Sequence, residues 1–378
     1  MNFPEYFEFR SPARVMAGPG IAGNLSSELA DLGVRRVFVI SDRILASQGL
    51  LGSIISGLGR VDVELFTDVP ENSDISVCEH AATRATEFGA DAVLAAGGGS
   101  VLDTGKAVGL LLGSGGRLLD YQGVGVIPPK RVPVIAVPTT AGTGSEVTPF
   151  AIIRDARERV KISFNSPHLV PTLAVLDPEL TLTMPPRLTA STGIDALTHA
   201  IEAFVSTQSN PVTDTLALHA ISLVFEHLPV AVARGFALEA RYAMLVAANL
   251  AGLAFANALV GCVHAMAHAV GGLFGIPHGI ANGVLLPVGM EFNLPAVPER
   301  MSEIARASGR DALPDNAPLA VRQLLAECSL PTRLKDVGVP ADGLSSAAGV
   351  AALEGCLITN PREATEEEIL AMLKTAYD

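Results

Sequence analysis

Short apolar runs alternate with longer amphipathic stretches through the first half of the chain. Val37-Phe-Val-Ile40, Ala92-Val-Leu-Ala-Ala96 and Val134-Ile-Ala-Val137 are β-rich and apolar at every position. That pattern predicts strands buried on both faces. Between them, Gly23–Leu32 and Val77–Thr86 have helical spacing, and Leu173-Ala-Val-Leu176 reads as a last strand ending at Asp177-Pro178. Strands alternating with helices predict a parallel sheet covered on both faces. After Met184-Pro-Pro-Arg187 the pattern changes to long Ala/Leu-rich stretches with helical periodicity. Two domains are expected: an α/β domain over 1–185 and an all-helical domain over 186–378. The stretch Ala312–Pro318, with two prolines, reads as a loop between helices.

Composition narrows the picture. The chain has 378 residues, enough for two domains of about 150 residues each. It is 49% apolar and 17% charged, which suits a large core and argues against disorder. A net charge of −13 without a basic cluster argues against nucleic acid or an anionic membrane as partner. Cys78, Cys262, Cys328 and Cys356 are scattered and form no C-x-x-C, which suits a reducing, cytoplasmic setting. The first ten residues carry acids and no apolar signal core. From Tyr242 to Met290 there is no Asp, Glu, Lys or Arg. That run holds Asn249, Asn257, His264, His268 and His278 and many glycines, so core helices explain it better than a membrane span.

Two glycine turns carry candidate chemistry. Gly97-Gly-Gly-Ser-Val-Leu-Asp-Thr-Gly-Lys106 lies between a strand and a helix. It is not a P-loop, because Ser100 and Ala107 stand where that motif needs Gly and Ser/Thr, and Leu102 breaks the G-x-G-x-x-G pattern. What remains is a side-chain-free turn whose N–H groups face an anion at a helix start. Asp103, placed in the first helical turn, suits a neutral hydroxyl or amide of the ligand better than a phosphate. Val137-Pro-Thr-Thr-Ala-Gly-Thr-Gly-Ser-Glu146 forms a second turn after a strand. Two turns on one sheet suggest a ligand with two phosphates. Asp42 follows the Val37–Ile40 strand, where a carboxylate accepts from ribose hydroxyls and repels a 2′-phosphate, favouring NAD over NADP.

The histidines supply the other half. Asp195 and His199 are four apart in Gly193–Ala200, and His264 and His268 are four apart in Gly261–Ala269. Each pair shares one helical face. His278 follows in Ile276-Pro-His-Gly279, and Asn257 lies seven before His264 on what reads as the same face. Burying such a stripe without a ligand costs about 1–3 kcal/mol per unsatisfied group. A carboxylate with imidazoles suits Fe²⁺ or Zn²⁺. Spacing does not choose among His264, His268 and His278, nor between the two metals.

The segments GGGSVLDTGKA, VPTTAGTGSEVT, DPELTLTMPP, GIDALTHAIEAFVS, GCVHAMAHAVGG, IPHGIANGVLLP and TNPREAT together resemble the iron-containing (group III) alcohol dehydrogenases over nearly the whole chain. The resemblance implies an N-terminal α/β, Rossmann-like dinucleotide domain and a C-terminal helical metal-binding domain, in the dehydroquinate synthase-like architecture. It puts the metal on Asp195, His199, His264 and His278, and makes His268 the catalytic histidine near the nicotinamide. NAD contacts fall on Asp42, Asn72, Gly98, Gly99, Ser100, Asp103, Thr139, Thr140, Thr143 and Lys161, and Cys356 lines the substrate end. Val288 stands where many relatives carry a non-ligand histidine.

The implied reaction is reversible hydride transfer between a primary alcohol, or its aldehyde, and NAD(H), helped by Fe²⁺ or by Zn²⁺. The alternatives on the same architecture are a zinc polyol dehydrogenase, a dehydroquinate synthase, or a maleylacetate reductase-like enzyme. Relatives of this kind are commonly dimers or larger homo-oligomers. The strand around Ala13–Ala17 is a candidate for pairing across such an interface.

Overall fold

The computed structural model describes residues 5–123, 125–129, 132–158 and 160–378. The chain divides into two compact units. One comprises Ser11–Thr140 and Gly144–Leu182; the other comprises the segment up to Arg10, Ala141–Thr143 and Thr183–Asp378.

The first unit is the α/β one. Its strands are β1 (Arg14–Ala17), β2 (Arg36–Ile40), β3 (Asp62–Phe66), β4 (Ala92–Gly97), β5 (Val134–Pro138), β6 (Phe150–Asp155), β7 (Val160–Asn165) and β8 (Leu173–Leu176). Six form a parallel sheet in the order β1-β8-β5-β4-β2-β3. The central strands β4, β5 and β8 are buried at every position, as their unbroken apolar runs require. Phe38, Val93 and Ala95 face one core; Val37, Val39 and Leu94 face the other. The expected alternation is therefore present. A second element was not foreseen: β6 and β7 form an antiparallel hairpin of their own, with Arg154 opposite Lys161.

Helices α1 (Ser26–Asp31), α2 (Arg43–Ser47), α3 (Leu50–Gly57), α4 (Ile75–Phe88) and α5 (Gly99–Ser114) cover the sheet. The stretch expected to be one helix from Gly23 splits into a 3₁₀ turn at Ile21–Gly23 and the short α1. Gly57 is the cause of the tight fit there, since a Cβ on it would lie 2.3 Å from the carbonyl carbon of Gly23.

Beyond Thr183 the described residues form helices and 3₁₀ turns: α6 (Pro186–Val205), α7 (Pro211–Ala233), α8 (Leu238–Ala258), α9 (Cys262–Phe274), α10 (His278–Asn293), α11 (Pro298–Ala307), α12 (Asn316–Glu327), α13 (Leu344–Ala351) and α14 (Glu366–Tyr377). Helix α12 starts inside the stretch read as a loop, placing Pro318 in its first turn, where a proline costs no hydrogen bond. Small residues let these helices approach closely. A Cβ on Gly193 of α6 would sit 2.3 Å from Leu228 of α7. Helices α7 and α8 are long and apolar enough to cross a membrane, but Ala217, Ile221, Val224, Ala247, Ala251 and Ala254 on them are packed into the helical core. The uncharged run from Tyr242 to Met290 is broken into α8, α9 and α10 rather than one span.

Candidate functional site

In the helical unit, Asp195 and His199 lie one turn apart on α6, and Glu202 extends the same face. His264 lies in the first turn of α9, and His278 opens α10 after Pro277. One donor atom from each of Asp195, His199, His264 and His278 falls within 4.8 Å of the other three. Gly279 allows α10 to close on α6, because a Cβ there would lie 2.3 Å from the Ser191 carbonyl oxygen. Asn282, one turn after His278, donates to Asp195 Oδ1 at 2.8 Å. Its nitrogen lies 3.3 Å from His264 Nε2 and 3.2 Å from His278 Nε2.

The electrostatics favour a cation. Burial holds the His264 imidazole well below its ordinary value and pulls His278 down to about 3. Both rings are then neutral near pH 7, with lone pairs available to an ion. Burial raises the Asp195 carboxyl, but His199, His278, His264 and the Asn282 hydrogen bond outweigh it and leave it below its ordinary value. Among the described residues, His199 Nδ1 and Asn282 Oδ1 are buried polar atoms without a hydrogen-bond partner. Three imidazoles, a carboxylate and orphaned polar atoms beside them fit a divalent ion of the iron or zinc type.

His268 stands apart from this set. It is exposed, its ring stacks on His278 with centroids 5.5 Å apart, and Nδ1 lies 3.3 Å from Glu354 Oε2. His268, Glu354 and Cys356 form a second, more exposed group. Burial pushes the Cys356 thiol up to about 12, so it is no ready nucleophile.

Asn257 does not belong to the histidine face, contrary to the seven-residue spacing. It lies on α8, which ends at Ala258; Leu259, at φ 63°, and Gly261 separate that helix from α9. Its Oδ1 accepts from the Arg10 backbone at 2.7 Å and its Nδ2 donates to the Arg10 carbonyl at 3.1 Å.

Sequence reasoning missed the support of α9. No local side chain caps that helix. Instead Asn360 Oδ1 accepts from Cys262 N at 3.1 Å, and Glu202 Oε1 accepts from Val263 N at 2.7 Å. Glu202 Oε2 accepts from His264 N at 3.4 Å and lies 2.5 Å from His264 Nδ1. Gly261 leaves the room for both side chains, since a Cβ would meet Asn360 Oδ1 at 2.6 Å and Glu202 Oε1 at 3.1 Å. The available signal was an acid at helical spacing behind Asp195 and His199 in an otherwise apolar stretch.

In the α/β unit, the first glycine turn joins β4 to α5, as its position between strand and helix predicts. Strands β5, β4 and β2 are neighbours, so Thr139, Gly98 and Asp42 follow the carboxyl ends of three adjacent strands. Sheet order reverses between β2 and β4, the place where such sheets bind ligands. The Thr139 N–H donates to the Gly97 carbonyl at 3.0 Å, and a Cβ on Gly98 would meet Thr140 Cγ2 at 3.3 Å, so the two turns lie against each other. Gly99 and Ser100 open α5, and the Asn72 N–H, at φ 54°, donates to Ser100 Oγ at 3.1 Å. Asp42 caps α2, accepting from Leu45 N at 2.9 Å. Lys161 is exposed on β7, and Thr143 belongs to the segment that joins the helical unit.

Asp103 lies in the second turn of α5, one turn later than expected. Ser145 Oγ donates to its Oδ1 at 2.6 Å, and the Ile152 N–H donates to its Oδ2 at 2.9 Å. It ties the helix to the second turn and to β6 rather than facing outward. Lys106 is buried beside it, donating to the Phe150 carbonyl at 2.6 Å and the Thr148 carbonyl at 3.1 Å.

Comparison with known proteins agrees with this architecture. The family described as "Iron-containing alcohol dehydrogenase" matches residues 12–178, and "Fe-containing alcohol dehydrogenase family, C-terminal" matches residues 189–377. The NAD-dependent methanol dehydrogenase of Bacillus methanolicus is 38% identical over 378 residues, covering 97% of this chain and 99% of that protein. The crystal structure of a 1,3-propanediol oxidoreductase superposes with a TM-score of 0.95 at 35% identity, covering 99% of this chain and 100% of the other. A sulfoacetaldehyde reductase from Bifidobacterium kashiwanohense, solved in complex with NAD⁺, superposes with a TM-score of 0.93 at 32% identity, covering 99% of each chain.

The chain belongs to the iron-containing alcohol dehydrogenases. It is an NAD-dependent oxidoreductase of alcohols, with NAD and iron as its cofactors, and the polyol dehydrogenase and maleylacetate reductase readings are not favoured.

Proposed function

We propose that the enzyme interconverts short primary alcohols and their aldehydes, with Asp195, His199, His264 and His278 holding the iron. The observation that carries this reading is the convergence of those four donors, three of them buried and His278 partly so, within one unit. Iron bound there supplies Lewis-acid polarisation of the substrate oxygen. NAD supplies the hydride acceptor. The chain's own residues bind, orient and move the proton. Asp195 contributes the set's negative charge, and burial keeps the His264 and His278 imidazoles neutral. His268, exposed and backed by Glu354, positions the nicotinamide or passes the alcohol proton outward.

NAD would be held by the two turns, with Gly98, Gly99 and Ser100 at the start of α5 and Thr139 and Thr140 after β5 as the groups that would take its pyrophosphate. Asp42 takes the ribose hydroxyls and disfavours NADP. Asn72 and Lys161 would complete the cofactor surface of this unit, and Asp103 braces the second turn from behind. The dinucleotide belongs to the unit of Ser11–Thr140 and Gly144–Leu182, and the metal to the helical unit. The methanol and 1,3-propanediol activities named for the relatives support a small alcohol. The uncharged helices being packed in a core, and the scattered free cysteines, support a soluble cytoplasmic enzyme. It works as a homodimer or larger homo-oligomer.

The test is NADH oxidation against a panel of short aldehydes by metal-stripped protein, with Fe²⁺ returned anaerobically and Zn²⁺ in parallel. Recovery with Fe²⁺ is expected. Loss of rescue by either ion, with NAD still bound, would remove the metal reading.

A further inference from the structure

Glu202 takes no part in the ligand set above, yet it is among the most deeply buried acids of the helical unit, 2% exposed. Its carboxylate is turned to the start of α9: it accepts from the Val263 N–H at 2.7 Å and the His264 N–H at 3.4 Å and lies 2.5 Å from His264 Nδ1. A buried acid has a large desolvation cost, so its presence calls for a reason. Capping α9 is not a sufficient one, because the neighbouring N–H, that of Cys262, is satisfied by the neutral amide oxygen of Asn360. An amide at 202 could accept from Val263 in the same way. Its NH₂ would then face His264 Nδ1 and force that nitrogen to be the acceptor. The imidazole would carry its proton on Nε2, the nitrogen that lies 3.3 Å from Asn282 at the donor cluster.

We propose that Glu202 is a positioning residue for the metal centre: its carboxylate accepts from Nδ1–H of His264 and so fixes the tautomer whose Nε2 lone pair faces the ion. The inference rests on the proposed ligand role of His264. A carboxylate behind a ligating imidazole raises the ring's basicity and holds its plane.

The test is Co²⁺ affinity of the full-length protein, read by competition with a chromophoric chelator, for wild type, Glu202→Gln and His264→Ala. Glu202→Gln is expected to weaken binding by about 10–100-fold. It should also change the visible Co²⁺ spectrum, while the melting point of the metal-free protein moves little because Gln still accepts from Val263. Unchanged affinity and spectrum in Glu202→Gln, with His264→Ala losing the ion, would overturn the role of Glu202 alone. Tight binding by His264→Ala would overturn the ligand assignment and this inference with it. If Glu202→Gln does not fold, ¹⁵N-histidine spectra of the metal-free wild type decide. A His264 ring protonated on Nδ1 supports the proposal, and one protonated on Nε2 overturns it.

Discussion

The histidine cluster and the two glycine turns of this protein are built by opposite means. Around Asp195, His199, His264 and His278 the chemistry is in the side chains, packed among Ala-rich helices and backed by Glu202 and Asn282. At the two turns it is in the backbone, and what matters is that side chains are missing at Gly97 and Gly98, and at Gly105 within α5 where the helix lies on β4. A helix presents side chains at a fixed period, so a cluster can be built by spacing residues. A backbone cradle is built by removing Cβ atoms and by pressing a helix against a strand. The lesson is that the first region breaks when atoms are taken away, and the second when atoms are added.

The largest effect should come from subtraction at the metal end. His264→Ala is expected to cut turnover by at least about 1000-fold, since the ion supplies several kcal/mol. Metal content should fall with it, and full metal content by elemental analysis would refute its place among the ligands.

Addition at the other end is next. Gly105→Ala puts a methyl 2.5 Å from the Ala95 Cβ, where α5 lies on β4. Helix propensity alone favours Ala by about 1 kcal/mol, but overpacking should win and destabilise by about 1–3 kcal/mol. A melting point at or above wild type would mean that the helix can slide away from the sheet.

Lys106 sharpens the contrast, because it is a buried charge in the backbone-dominated region. Burial pulls it down to about 8, against the pull of Asp103 and Glu146. Between about 8 and 10.5 the unfolded chain keeps a proton that the folded one has shed. Stability of the α/β unit should therefore rise with pH across that window, by under about 1.4 kcal/mol per pH unit. Urea unfolding at several pH values, with Lys106→Met as the flat reference, reads this. A wild-type curve parallel to the variant's would sink it.

The smallest effect is expected from Asp42→Asn. Asn caps a helix as well as Asp, so the melting point should barely move. Use of NADPH relative to NADH should improve about fivefold, or about 1 kcal/mol, through loss of charge repulsion. An unchanged cofactor ratio would leave Asp42 as a cap of α2 and nothing more.

The sequence by itself determined the local part of each region. Unbroken apolar runs specified central strands, because a parallel strand buried on both faces tolerates no polar position. The glycine cluster after such a run located the α5 turn, and the four-residue spacings put Asp195 with His199 on one helical face. Helical period is a local property, so it carries no information across a break. That is why Asn257 read as a neighbour of His264, when the turn at Leu259–Gly261 sends it to Arg10 instead. It is also why Asp103 read as part of the first turn of its helix, when the structure puts it in the second, bonded to a hairpin some fifty residues further on. Spacing left three histidines as equal candidates. Only the packing of α6, α9 and α10 brings His264 and His278 to Asp195 and His199 while His268 faces outward beside Glu354. Only that packing lets Glu202 and Asn360, distant in the chain, satisfy the bare N-terminus of α9. Those contacts depend on several helices docking at once through glycine-sized gaps, and no single segment encodes their geometry.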